Sequence, residues 1–345
     1  MKNVLSRRRF LELGTAGLAG LALGGIPGCG YERHGDSGLL VPAGSTHAGI
    51  GAGGGEAADG GEIPRRFYVV FLADTHVSDR YYTGPEGSEL DTQTVLSSPQ
   101  NLAETRDYLN GLPYPIEATF VAGDTIHNMP FESFDEYMAA DDDRFDVAEE
   151  LFAGFDGPVY PTFGNHDYKI SYGRELSHDL YRHHFGVEPY YSVKLNGWKF
   201  ILANNQVGDT WTPGSDSYDR DIGSFGREQL DWLEGELQEG LPTFLFFHFP
   251  MWVIAGVEQA DFGLPTLLRR YRETIRLVVT GHSHIWMNNA DVYGPPHLVM
   301  GATRYDTDAF MLMEIDTELQ TWRCLNWDCF HWGTHYARPW LAPLA

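Results

Sequence analysis

The stretch Phe67-Tyr68-Val69-Val70-Phe71-Leu72-Ala73-Asp74-Thr75-His76 sets the reading of the whole chain. Its first six residues form an apolar run of strand length without polar alternation, which marks a strand buried on both faces. The polar triplet Asp74-Thr75-His76 follows almost at once. The same grammar recurs four times. Run 118–122 precedes Gly123-Asp124, and run 159–163 precedes Gly164-Asn165-His166-Asp167. Run 243–247 precedes His248, and run 276–280 precedes Gly281-His282-Ser283-His284. In open α/β sheets, ligands gather beyond the carboxyl ends of the strands. Five such ends would therefore bring Asp, Asn and His side chains to one crevice.

Working outward, helical patterns fall near 99–111, 133–153, 174–185 and 226–238, and further strands near 190–195, 198–203, 297–300 and 310–315. In the fourth helix Leu230, Leu233 and Leu237 recur at helical spacing, and Gly240 stands just past its end. Alternation of this kind predicts an α/β protein with parallel or mixed sheets enclosed by helices. No internal repeat or second composition regime is visible, so one catalytic-size domain is expected over 64–345. Residues 210–222 lack a pattern and make a candidate loop over the site.

Composition excludes several classes. Of 345 residues, 43% are hydrophobic, too many for a disordered chain. Lys and Arg number 24 against 48 Asp and Glu, a formal charge of −24. A dedicated nucleic-acid binder needs the opposite balance, as does adhesion to anionic lipid through a basic patch. Three cysteines are too few for a disulfide-stapled or cysteine-rich metal module.

Residues 1–29 read as an address. Ser6-Arg7-Arg8-Arg9-Phe10-Leu11 resembles a twin-arginine export signal, and Ile26-Pro27-Gly28-Cys29 resembles a bacterial lipobox, whose cysteine is lipidated. Residues 30–63, with Gly-Ala-Gly-Gly-Gly at 51–55, read as a flexible tether. The expectation is export to the cell envelope with a lipid anchor on Cys29. Cys324 and Cys329 are then left as either a disulfide or two buried thiols.

The motifs differ in specificity. Asp-x-His is expected roughly once by chance in such a chain, Gly-His-x-His on the order of a few hundredths of a time, and Gly-Asn-His-Asp roughly a few thousandths. Together, in this order and each after a buried strand, they resemble the calcineurin-like metallophosphoesterase family from about Phe67 to His284. That resemblance implies a four-layer α/β/β/α sandwich with two central mixed β-sheets. It further implies two divalent ions (Mn, Fe or Zn). Asp74, His76 and His284 would hold one, Asn165, His248 and His282 the other, and Asp124 would bridge them. His166 would stand beside the substrate phosphate. The expected reaction is in-line attack on a small phosphate mono- or diester by a hydroxide shared between the ions, with His166 stabilising the transition state or protonating the leaving oxygen.

One departure from the family is visible. Protein phosphatases carry an Asp, followed by Arg-Gly, that orients the catalytic histidine. Here the run is Gly123-Asp124-Thr125-Ile126-His127-Asn128, with His127 at that position. The pattern resembles small-substrate phosphatases and phosphodiesterases, including the cyclic-nucleotide type. Asp167 or a backbone carbonyl is then expected to orient His166, while His127 is open between substrate contact and support of the site. A non-catalytic metal-binding lipoprotein is the rival from another class.

Three further groups read as structural. His178, His183 and His184 are expected on a solvated helix face. The stretch 132–150, with nine acids and Arg144 as its one cation, is expected to be a charged surface. Trp327, Trp332, Tyr336 and Trp340 are expected to pack at a sheet edge rather than line a substrate rim. Oligomeric state is not readable.

Overall fold

The computed structural model describes residues 63–169, 174–254, 258, 263–289 and 292–333. The expected signal, Cys29 and the tether up to Glu62 lie outside the described residues, as do Tyr336 and Trp340.

Two mixed sheets form the centre. In the first, β1 (Arg66–Leu72) lies between β10 (Met311–Asp316), which pairs antiparallel, and β2 (Ile116–Val121), which pairs parallel. β3 (Val159–Pro161) and β11 (Thr321–Cys324) close its two edges. The second sheet runs β4 (Tyr191–Leu195), β5 (Trp198–Leu202), β6 (Thr243–Phe246), β7 (Ile275–Thr280), β9 (His297–Val299), β8 (Met287–Asn288). Its inner strands β5, β6, β7 and β9 are mutually parallel. In register, Leu72 stands beside Val121 and Phe246 beside Val279, so neighbouring strands stop level with one another.

The sheets pack face to face through aromatic rings. Phe71 of β1 meets Phe244 and Phe246 of β6 edge-on at 5.3 and 4.8 Å, and Phe120 of β2 stacks on Phe200 of β5 at 4.3 Å. All five are fully buried. Aromatic pairs of this geometry add about 0.5–1.5 kcal/mol each beyond their buried area. Helices cover the outer faces. On the second sheet, α5 (Gly226–Gln238) buries Leu230, Leu233 and Leu237. It is pinned by the buried Lys199 of β5, whose ammonium donates to the Glu236 carbonyl and carboxylate, both at 2.8 Å. α1 (Glu89–Asn110) connects β1 to β2 of the first sheet, and α3 (Arg144–Phe152) lies on the connection from β2 to β3. The layer order is the helix–sheet–sheet–helix sandwich expected.

Several elements differ from the sequence reading. The helix expected from 99 begins ten residues earlier, capped by the Ser88 side chain, and carries Pro99 in its interior. A proline there deprives the Val95 carbonyl of its helical donor. The Ser78 hydroxyl donates to that carbonyl at 2.7 Å, so the loop after β1 repairs the helix. The region 133–153 is two helices, α2 (Phe134–Ala139) and α3, separated because Asp143 caps the second with its own side chain. Among the histidines of α4 (Glu175–Phe185), His183 is exposed but His184 is buried, bonded to Glu149 and to the Tyr137 hydroxyl. His178 is half-buried against Tyr168. A short α6 (Leu264–Arg270) was not anticipated. Cys324 is a free thiol, so it forms no disulfide with Cys329. The Trp286 ring stacks on Phe330 at 3.8 Å, and Trp327 and Trp332 pack around that pair.

Candidate metal centre

The chain turns sharply as it leaves β1, β2 and β7. Asp74, His76, Asp124, Asn128, His282 and His284 all have left-handed backbones, with φ between 44° and 71°. Such conformations cost on the order of 1 kcal/mol or more for non-glycine residues, and they persist where the surroundings over-determine them. Here the ladder between β1 and β2 continues beyond both strands. The Asp74 N–H donates to the Gly123 carbonyl at 3.1 Å, and those of His76 and Val77 donate to Asp124 and Thr125 at 2.9 Å. The Asp74 carboxylate also accepts the His282 N–H at 3.0 and 3.1 Å, tying the end of β1 to that of β7. Two glycines permit the closeness. A Cβ on Gly123 (φ 84°) would lie 2.5 Å from His248 Nδ1, and one on Gly164 would lie 2.3 Å from the Asp124 backbone nitrogen.

The side chains so placed fall into two groups that share one carboxylate. Asp74, His76, Asp124 and His284 present ligand atoms within 4.8 Å of one another, as do Asp124, His248 and His282. In the first group, His76 Nε2 lies 3.0 Å from His284 Nε2 and 3.5 Å from Asp124 Oδ2. In the second, His248 Nε2 lies 3.0 Å from Asp124 Oδ2 and 3.1 Å from Asn165 Oδ1, and that oxygen is 3.0 Å from His282 Nδ1. All seven residues expected to bind metal therefore meet.

The donor set fits divalent ions. Asp124 Oδ2 is buried, with His248 Nε2 at 3.0 Å as a neighbour but no well-aligned hydrogen-bond donor, an arrangement that costs about 1–3 kcal/mol unless something positive satisfies it. His248 Nδ1 faces the Ala122 carbonyl at 2.9 Å and must donate to it, so its Nε2 turns inward as the metal-facing atom. Imidazole nitrogen with carboxylate and amide oxygen suits Mn, Fe or Zn. Electrostatics agree. Burial, then His166 and His284, holds His76 well below the usual histidine range, in its ligating neutral form. Burial and His248 lower His282 to about 4. Burial opposes protonation of His248 as well, but the Asp124 carboxylate overrides it and raises His248 to about 9. The Asp124 carboxylate thus attracts positive charge at His248, while burial keeps His76 and His282 neutral.

His166 stands at the mouth of the pair, its ring 4.6 Å from His76 and edge-on to it. Its backbone N–H donates to Asp124 Oδ1 at 2.8 Å. Its Nδ1 is held by Asn128 Oδ1 at 2.6 Å, which leaves Nε2 as the ring nitrogen not engaged by Asn128. This corrects the expectation for Asp167. The Asp167 carboxylate is fully buried and accepts the backbone N–H groups of Gly164, Ile126 and Thr125 at 2.7, 3.0 and 3.3 Å. It clamps the loops after β2 and β3 together and does not orient His166. Asn128 does so, one position beyond the residue singled out from the sequence.

Arg144 was also misplaced by its acidic surroundings. It is buried, paired with Asp79 at 2.9 Å, and donates to the His127 and Asn128 carbonyls, fixing the loop that carries Asn128. The 210–222 loop approaches the centre through Trp211. That ring lies 5.9 Å from Phe249, which in turn packs 4.3 Å from His282.

The model of the calcineurin-like phosphoesterase family matches residues 67–286, a span that contains all five strand-end motifs. No curated protein matches the chain. Among solved structures, the chain is similar to a dimetal phosphatase from Danio rerio, with 16% identity over 72% of this chain and 92% of that one and a TM-score of 0.49. It is similar to an archaeal phosphodiesterase at 15% identity, over 75% and 99% of the two chains, with a TM-score of 0.31. A phosphopantetheinyl hydrolase from Mycobacterium tuberculosis shares 16% identity over 70% and 91%, with a TM-score of 0.39. Since the family model covers well over half of the sequence and every candidate ligand, the chain belongs to the calcineurin-like phosphoesterase family and is a metal-dependent hydrolase of phosphoric esters.

Proposed function

We propose that this protein is an exported dinuclear-metal phosphoesterase acting on small phosphate mono- or diesters. The observation that carries the reading is Asp124, a buried carboxylate shared by two His-rich groups, with Oδ2 lying 3.5 Å from His76 Nε2 and 3.0 Å from His248 Nε2. Asp74, His76 and His284 would hold one ion and Asn165, His248 and His282 the other, with Asp124 common to both. Bound there, two divalent ions would offset phosphate charge and acidify water at neutral pH.

The chain's own contribution is positioning and proton handling. Asn128 Oδ1 accepts from His166 Nδ1–H, so Nε2 is the atom available to the phosphate or the departing oxygen. Burial lowers the pKa of His166, which makes a proton on Nε2 easy to give up. Export and lipid anchoring through Cys29 rest on the arginine run at 7–9 and the sequence around Cys29. Mass spectrometry of the mature N-terminus tests that part, and an unmodified terminus other than Cys29 would refute it.

Activity is tested with p-nitrophenyl phosphate and bis-p-nitrophenyl phosphate in the presence of Mn²⁺, Fe²⁺ or Zn²⁺. Wild-type protein should turn over at least one ester, Asp124→Asn neither, and His166→Ala should keep its metal but lose most turnover. The ratio of the two rates ranks diester against monoester, including the cyclic-nucleotide-type reading. No turnover by metal-loaded wild type on a broad ester panel would leave a metal-binding lipoprotein as the better account.

A further inference from the structure

Behind His76 lies a chain of polar side chains that the hydrolytic reading does not use. Glu86 leaves the loop between β1 and α1, where its N–H is held by the Thr92 hydroxyl at 2.8 Å. Its Oε1 accepts the Tyr82 hydroxyl at 2.7 Å and lies 2.9 Å from His127 Nε2. His127 is buried, and its Nδ1 lies 3.4 Å from Nδ1 of His76. From the structure we infer that Glu86 and His127 are positioning residues that set the tautomer of His76, keeping its Nε2 unprotonated for the metal. This inference rests on the dinuclear reading above.

Nε2 of His76 is the atom that faces His284 and Asp124, so it can ligate only if the ring proton sits on Nδ1. Nδ1 can donate to His127 only if His127 Nδ1 is an acceptor, which puts the proton of His127 on its Nε2. That proton then points at Glu86, a carboxylate that only accepts. The acceptor at the end of the chain thereby dictates both rings. The reverse arrangement would set a lone pair against the carboxylate at 2.9 Å and place the His76 proton among the ligands.

One contact favours that reverse. The Asn128 amide nitrogen lies 3.2 Å from His127 Nε2 and could donate to it. A hydrogen bond to a carboxylate is roughly twice as strong as a neutral one, and the Glu86 contact is the shorter. The carboxylate therefore decides. Partners that fix a ligating histidine in this way typically account for about 10–100-fold in metal affinity.

The test uses full-length metal-free protein and Mn²⁺ calorimetry, together with two-bond ¹H–¹⁵N spectra of the imidazoles. In the wild type, His76 should carry its proton on Nδ1. In Glu86→Gln, whose amide can donate instead, that signal should change, and one of two Mn²⁺ equivalents should weaken about 10–100-fold. The other equivalent should hold within about threefold. In a His127→Phe background, Glu86→Gln should have no further effect, because the link to His76 is already cut; a merely structural Glu86 would still add its own loss. A proton on Nε2 of His76 in the wild type, or independent effects of the two substitutions, would overturn the inference. So would a third Mn²⁺ equivalent lost with His127, since His76, His127 and His166 would then themselves form a site. If the wild type binds no Mn²⁺ pair, the dinuclear reading fails, while the spectra still report the tautomer separately.

Discussion

Acidification should destabilise this fold through His297, by an amount the structure sets. His297 lies on β9 and is fully buried beneath the end of β7. Its Nε2 meets the Thr280 hydroxyl at 3.1 Å, and its Nδ1 has no partner. Burial alone lowers its pKa from 6.5 to about 4. The folded state thus binds the proton later than the unfolded chain. Stability from this group is complete above the unfolded value and is lost as pH falls through 6.5 toward 4. Between pH 7.5 and 5 the loss comes to about 2 kcal/mol. For a domain of this size that is roughly 4–8 °C in Tm. Thermal denaturation of wild type and His297→Gln at the two pH values reads it directly. Because the Thr280 contact changes in the variant, the quantity that matters is the difference in pH dependence. The fall on acidification should be shallower in His297→Gln by about 2 kcal/mol. Equal falls in the two proteins would refute the reasoning.

Other substitutions probe the scaffold of the centre. Asn128→Ala removes the hydrogen bond that holds His166 and should lower kcat about tenfold, the worth of one oriented hydrogen bond, with metal content unchanged; steady-state kinetics within twofold of wild type would contradict this. Arg144→Met leaves Asp79 buried and unpaired and should cost about 3–5 kcal/mol in urea denaturation, most of it recovered in the Asp79→Leu/Arg144→Met double variant. Gly164→Ala forces a Cβ against Asp124, so metal content by atomic emission should fall below that of wild type while the circular dichroism of the fold is kept.

The strand-end logic was readable because buried strands announce themselves as unbroken apolar runs, and β1, β2, β6 and β7 all do. The seven ligand types were legible for the same reason, since each follows its run within a few residues. What escaped depends on contacts distant in sequence. Pro99 argues against a helix interior until Ser78 is known to serve the Val95 carbonyl. Arg144 and His184 look solvated among acids, yet Asp79 and Glu149 draw them inward. Asp167 is one of two candidates the sequence offers for orienting His166, beside a backbone carbonyl, whereas its carboxylate turns to three backbone N–H groups. Asn128 was visible in the motif, but only the turn after β2, with its left-handed φ of 56°, shows which side chain reaches His166.

The central claim is that one carboxylate, Asp124, serves two metal ions. Crystals of the full chain grown with Mn²⁺ and measured at the manganese absorption edge would test it most directly. The account predicts two anomalous peaks, one contacting Asp74, His76 and His284, the other Asn165, His248 and His282, with Asp124 touching both. A single peak, or two peaks that do not share Asp124, would contradict it.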